Sequence, residues 1–310
     1  MKVKKILFLA ISFICFFGCI SPKTYLKDSV DIIEDNSIER YIIDWVKYRN
    51  DVMEYGKNAR TIKGTYPAIR YALRQIGDRH SVFLSSDQYN SIIDQDKQLP
   101  NITTQLINDS IAYIKIPGFL GIDGFAVKFA QNIQDKIKEF DNKNIESWII
   151  DISNNTGGNM WPMLLGLGPI FGEDTLGYFV DAEKEFTPWI YANGSVFLGD
   201  IRLMKLNSPY ILKNQIKKIA VIIDNRTCSS GEAIATAFIG AKNCKLFGEN
   251  TVGNSTANVS HKLRDGACIC LTESKFADRN RVIYGKSIHP DVGDFSWSVI
   301  NTSIKWIDND

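Results

Sequence analysis

The chain has 310 residues, 45% of them hydrophobic and 23% charged. That balance suits a globular protein with a sizeable core and excludes a disordered, collagen-like or coiled-coil chain. With 36 basic against 35 acidic side chains the formal charge is +1, so no basic surplus points to nucleic acid and no acidic surplus to a solvating tail.

The first nineteen residues, MKVKKILFLAISFICFFGC, read as an export signal. Lys2, Lys4 and Lys5 lead an apolar run over 6–17 that is too short to span a membrane. The Gly18-Cys19 ending is similar to that of a bacterial lipoprotein signal, although Phe16 and Phe17 stand where a Leu and a small residue are usual. That likeness implies lipidation of Cys19 and a membrane link through that lipid alone; an ordinary signal peptide with a coincidental cysteine is the alternative. Either form places the mature protein in the periplasm or at the surface of a bacterium. Loss of the three lysines leaves 33 basic against 35 acidic residues, a charge near −2.

Beyond the signal and Cys19, four cysteines remain: Cys228, Cys244, Cys268 and Cys270. An oxidising compartment permits disulfides, yet Cys268 and Cys270 flank one residue of an expected strand, a poor geometry for joining each other. A Cys228–Cys244 pairing stays open. No CxxC pair or His cluster suggests zinc, so no metal site is expected.

Residues 20–28 read as a tether. Over 29–55 apolar residues recur at helical spacing, interrupted by Glu34-Asp35-Asn36. A second helix is predicted from Pro67, suited to a first turn, to the stop at Gly77. Residues 29–95 thus form a small helical region, and 96–310 an α/β domain. There, strands over 111–116, 147–152, 218–224 and 244–248 alternate with helical patterns, one of them marked by Phe125, Phe129, Ile133, Ile137 and Phe140. The near-continuous apolar strands indicate buried sheet positions. Residues 172–215 and 259–274 read as antiparallel or irregular insertions.

Three segments carry candidate chemistry. DNRTCSSGEA (224–233) lies between a buried strand and a helix, where free N–H groups and the helix dipole favour developing negative charge. A serine there suits a nucleophile; Ser229 or Ser230 merely capping the helix, with Glu232 completing a capping box, is the structural alternative. GDRHSVF (77–83) holds His80, one of three histidines and the one on a loop able to face a cleft. Gly157-Gly158, after the strand ending Asp151-Ile152, lets backbone N–H groups approach a ligand, as an oxyanion hole requires; a plain tight turn uses the same dipeptide.

In their order and context these blocks resemble the tail-specific, or C-terminal processing, serine peptidases and their tricorn-core relatives. The likeness covers GDRHSVFLSSDQY (77–89), DISNNTGGN (151–159), VIIDNRTCSSGEAIATAF (221–238) and GENTVGN with the segments after it. It implies an α/β fold with a crotonase-like or ClpP-like peptidase core. It assigns Ser229 as nucleophile, Ser230 and Gly157 or Gly158 as oxyanion donors, and Glu232 as the acid three residues on. The processing branch has a lysine base near Gly253, but Asn254 stands here and an amide cannot take the proton. The tricorn-like branch uses a histidine, which matches His80, so a Ser229–His80 dyad is expected. Glu232 ranks first, on position, among Glu232, Glu249 and Glu273 for orienting His80, and Ser81 is a candidate for a hydrogen bond within the site. Only about twenty residues separate the His80 motif from strand 111–116, too few for an inserted PDZ domain. The expected activity is a serine endopeptidase acting on peptides or unfolded proteins, without metal or organic cofactor. Two alternatives are a non-catalytic member of the fold that binds peptides or apolar ligands, and a crotonase-like enzyme on thioesters.

Overall fold

Three helices open the described chain, which in this computed structural model comprises residues 20–95, 98–143, 145–295 and 297–309. The export signal and Cys19 therefore lie outside the described residues. Helix α1 (Pro22–Asn36) starts inside the segment read as a tether. The cap is local, since Ser21 Oγ accepts the Thr24 N–H at 3.1 Å and Pro22 opens the first turn, while Tyr25 and Leu26 are buried by partners distant in the chain. Helix α2 (Trp45–Tyr55) follows the interruption at Glu34-Asp35-Asn36. Helix α3 (Ile62–Ile76) begins five residues before Pro67, because Thr61 Oγ1 caps the Gly64 N–H at 3.0 Å; Pro67 falls inside it. Gly77, at φ 86°, stops it as expected.

The next elements are β1 (Val82–Leu84), α4 (Ser86–Gln95), β2 (Thr103–Leu106), β3 (Ile111–Lys115), α5 (Asp123–Asp141), β4 (Ser147–Asp151) and α6 (Met160–Phe171). An antiparallel meander follows, β5 (Asp174–Val180), β6 (Phe186–Ala192), β7 (Ser195–Leu198) and β8 (Ile201–Lys205). The chain then runs through β9 (Lys218–Ile223), α7 (Ser230–Phe238), β10 (Cys244–Gly248), β11 (Thr256–Lys262), β12 (Cys268–Ala277), β13 (Val292–Gly293) and α8 (Val299–Asp308).

Two sheets result. One has the order β13-β10-β9-β4-β3-β2, parallel throughout except for β2 at its edge. Its strands are apolar on both faces because both are covered. Ala112, Ile114, Trp148, Ile150, Val221 and Ile223 join the core with α5, α6 and α7, whereas Ile111, Tyr113, Ile149, Ala220 and Ile222 meet α8. The second sheet is antiparallel, with the order β1-β12-β5-β6-β7-β8 and β11 beside β12.

A separate apolar cluster joins α1, α2 and α3 to Phe83, Leu263, Ala267, Ile269 and Leu271. The hydroxyls of Tyr25 (2.6 Å) and Tyr66 both donate to Asp265 in the turn between β11 and β12. The helical region is thus packed onto the α/β domain's second sheet. Among the described residues no helix is long and apolar enough to cross a membrane.

Candidate active site

Two of the three segments singled out in the sequence, those with Gly157-Gly158 and Ser229, follow the carboxyl ends of β4 and β9, where ligands of parallel sheets commonly bind. Ser229 forms the turn from β9 into α7 with φ 52° and ψ −114°. The capping box is present, with the Glu232 carboxylate accepting the Ser229 N–H at 2.8 Å. An ordinary cap residue, however, holds β-region backbone. A positive φ at a non-glycine residue stores strain, and such strain collects at functional sites.

The turn is held from several sides. Asp224, nearly buried, accepts the N–H groups of Asn154 (2.9 Å) and Arg226 (3.1 Å) and the Thr227 hydroxyl (2.9 Å). The Asn155 carbonyl accepts the Cys228 N–H at 2.9 Å. Asn155 also turns its Oδ1 to the Gly157 N–H at 3.0 Å. One fully buried asparagine therefore joins the loop after β4 to the turn after β9.

Gly157 and Gly158 face that turn. A Cβ on Gly157 would lie 2.9 Å from Ser229 Cβ and 3.2 Å from the Ser230 nitrogen. Gly158 accepts the Ser230 hydroxyl and forms a parallel bridge with Phe119, whose carbonyl a Cβ on Gly158 would strike at 2.2 Å. Both have positive φ, 104° and 117°, so the pair adopts backbone that favours glycine. Gly158 is exposed whereas Gly157 is buried.

His80 lies on the loop between α3 and β1. Its Nδ1 lies 2.7 Å from Thr256 Oγ1. Asp78 Oδ1 accepts the His80 (2.9 Å) and Ser81 (2.8 Å) N–H groups. Burial pushes the His80 imidazolium pKa below its ordinary value, with the Asp78 charge opposing that shift. The other two histidines are engaged elsewhere, His261 Nε2 with Glu273 and His289 Nδ1 with Asn250 at 2.8 Å.

Two expected contributions change. Ser81 donates its hydroxyl to Asp78 and accepts the Thr272 N–H at 2.9 Å, so it pins the His80 loop to β12 rather than offering a free hydroxyl. Glu232 does not hold His80. Fully buried, it accepts the Thr251 hydroxyl, the Gly253 N–H at 2.8 Å and the Ser229 N–H. Its geometry fixes the loop 251–254 against the Ser229 turn, and burial raises its pKa against those donors. The side chain that meets the His80 ring is that of Thr256, not the expected Glu232.

The chain from 254 to 256 touches both segments. Asn254 Nδ2 meets Cys228 Sγ at 3.4 Å beside Ser229, and two residues on Thr256 meets His80. Cys228, Cys244, Cys268 and Cys270 are free thiols, which settles the open Cys228–Cys244 pairing. Sequence reasoning missed Asn155, Thr251 and Thr256. Asn155 and Thr251 lay inside quoted blocks, but nothing in residue type marked their buried hydrogen bonds; for Thr256 no sequence signal existed.

The model of "Peptidase family S41" matches residues 110–293. The nisin-resistance protein of Lactococcus lactis subsp. lactis is 29% identical over 291 residues, 93% of this chain and 87% of that protein. The carboxy-terminal processing protease CtpA of Bacillus subtilis is 26% identical over 176 residues, covering 56% of this chain and 34% of that protein. A solved lipoprotein structure from Streptococcus agalactiae superposes with a TM-score of 0.76 at 26% identity, covering 98% of each chain.

Proposed function

Because the chain belongs to peptidase family S41, with the α/β peptidase fold expected from its motifs, we propose that it hydrolyses peptide bonds outside the cytoplasm with Ser229 as nucleophile and His80 as general base. With the proton on Nδ1 donated to Thr256 Oγ1, Nε2 is the free base for the serine hydroxyl. Attack on the peptide carbonyl forms a tetrahedral oxyanion. The Gly157 N–H is taken by Asn155, so the Gly158 and Ser230 N–H groups are the donors for that oxygen. His80 then gives its proton to the leaving amine, and water hydrolyses the acyl-enzyme.

The observation that carries this reading is the strained backbone of Ser229, left-handed in φ and held by Asp224, Asn155 and Glu232. Its exposure is intermediate, so a substrate carbonyl has access to it. Substrates are peptides or unfolded segments, and the near full-length similarity to the nisin-resistance protein makes nisin the first peptide to test. Lipid anchoring through Cys19 completes the proposed placement.

Ser229→Ala is expected to lower turnover by roughly four to six orders of magnitude, and a fluorophosphonate probe to label the wild-type serine. Unchanged cleavage by purified Ser229→Ala protein overturns the assignment. Asn254, in place of the processing-branch lysine, motivates a second reading, a peptide-binding protein without turnover. Saturable peptide binding with no labelling of Ser229 would select it.

A further inference from the structure

The register of β1, β12 and β11 gathers two thiols on one face of the second sheet. Cys270 stands opposite Val82 and Ser260, and Cys268 stands opposite Leu84 and Lys262. Residues opposed in antiparallel strands project to the same side. The two sulfurs lie 3.9 Å apart, and Ser260 Oγ is 3.7 Å from the Cys270 sulfur. Cys268 is fully buried and Cys270 half-buried, so the pair opens to solvent through Cys270. Lys262 Nζ lies over the Tyr89 ring of α4, 5.2 Å from its centroid.

We infer that Cys268 and Cys270 together bind one soft monovalent metal ion of the Cu(I) class, each through a thiolate. The spacing suits an ion between the sulfurs better than a bond joining them. A disulfide needs them about 2.05 Å apart. Two metal–sulfur bonds of about 2.3 Å span up to about 4.6 Å when straight and less when bent. Thiolates select soft ions, and ligand number decides among those. Among the described residues no third His, Cys, Asp or Glu joins the pair, and His261 of β11 is engaged with Glu273. Zinc, which takes four ligands, is left half-coordinated there, whereas Cu(I) is complete with two thiolates. Charge agrees: two thiolates around a monovalent ion leave one negative charge, which the Lys262 ammonium opposite Cys268 offsets. A divalent ion leaves none to offset. On binding, each thiol releases its proton to solvent and each sulfur forms one bond to the ion, with no change of oxidation state. Neither Ser229 nor His80 takes part, so the site is independent of the peptidase reading.

The test is an anaerobic titration of the reduced full chain with Cu(I) buffered by bicinchoninate, with Cys15→Ser and Cys19→Ser so that the signal thiols take no metal. One Cu(I) per chain is expected, with two sulfur neighbours in X-ray absorption at the copper edge and a melting temperature raised by the ion. Cys270→Ser, at a half-buried position, is expected to melt like its parent without metal. It should weaken Cu(I) binding by more than about a hundredfold, the upper range for losing even an outer partner of a metal site. A tenfold excess of Zn²⁺ is expected to leave the bound copper in place. Equal copper binding by parent and Cys270→Ser overturns the site. So does a copper edge without two sulfurs, or displacement of the copper by Zn²⁺.

Discussion

Thr256 Oγ1 stands 2.7 Å from Nδ1 of His80, so a strand residue from the last quarter of the chain orients an imidazole from the first third. Removing this bond leaves the ring without a fixed tautomer. Thr256→Val, which keeps the shape, is expected to lower kcat about tenfold, the scale of one hydrogen bond. Thr256→Ser keeps the hydroxyl and is expected to retain most activity. Steady-state kinetics on the two variants decides the matter; equal losses would assign Thr256 a packing role only.

On the proposed mechanism, protonation of His80 is expected to give the acid limb of activity. Burial holds its pKa below the ordinary 6.5, and only the neutral ring accepts the serine proton. The kcat/KM profile is therefore expected to rise with pH through a midpoint below 6.5. Stability follows the same sign: the unfolded ring takes up a proton from about 6.5 downward while the folded ring resists. This contribution is full above 6.5 and drains away as pH falls through the folded value. His80→Asn should flatten that part of the stability profile, measured by urea unfolding at several pH values.

Glu232 is a structural clasp. Glu232→Ala strands three donors, Ser229 N–H, Gly253 N–H and Thr251 Oγ1, and is expected to cost on the order of 3 kcal/mol in unfolding free energy. Glu232→Gln keeps one acceptor oxygen and removes a carboxylate whose pKa burial raises. It should recover much of the stability at neutral pH while leaving the nucleophile turn misheld, so denaturation and turnover would part company. Equal behaviour of the two variants would contradict the clasp.

The neighbouring glycines separate function from folding. A Cβ at Gly157 meets Ser229 Cβ at 2.9 Å, so Gly157→Ala is expected to fold with a loss of about 1–3 kcal/mol and a displaced serine. At Gly158 the added carbon meets the Phe119 carbonyl oxygen at 2.2 Å, and backbone cannot step aside. Gly158→Ala should express poorly or melt well below Gly157→Ala. Thermal melts with fluorophosphonate labelling test both.

The strands of the parallel sheet were legible because both of its faces are covered, which writes burial into contiguous residues such as those of β4 and β9. Gly77, Gly157 and Gly158 announced themselves through the backbone they permit. The tether over 20–28 was misread because Tyr25 and Leu26 owe their burial to α3 and the β11–β12 turn, partners far away in the chain. Pro67 misled for a related reason: the cap at Thr61 and the packing of Thr65 and Tyr66 outweigh one lost helical hydrogen bond. The orienter of His80 was sought among carboxylates, since charge is visible in a sequence. A threonine hydroxyl on β11 becomes an orienter only through the sheet register that presents it.

The Ser229 turn rests on the large interior beneath the parallel sheet, whereas the His80 loop is mounted on the helical layer and β12. During synthesis the histidine emerges early, but the strand against which β1 zips, residues 268–277, is among the last to appear. On the proposed mechanism, a chain without residues 268–277 is expected to hold both Ser229 and His80 yet lack the strand on which the His80 loop is mounted.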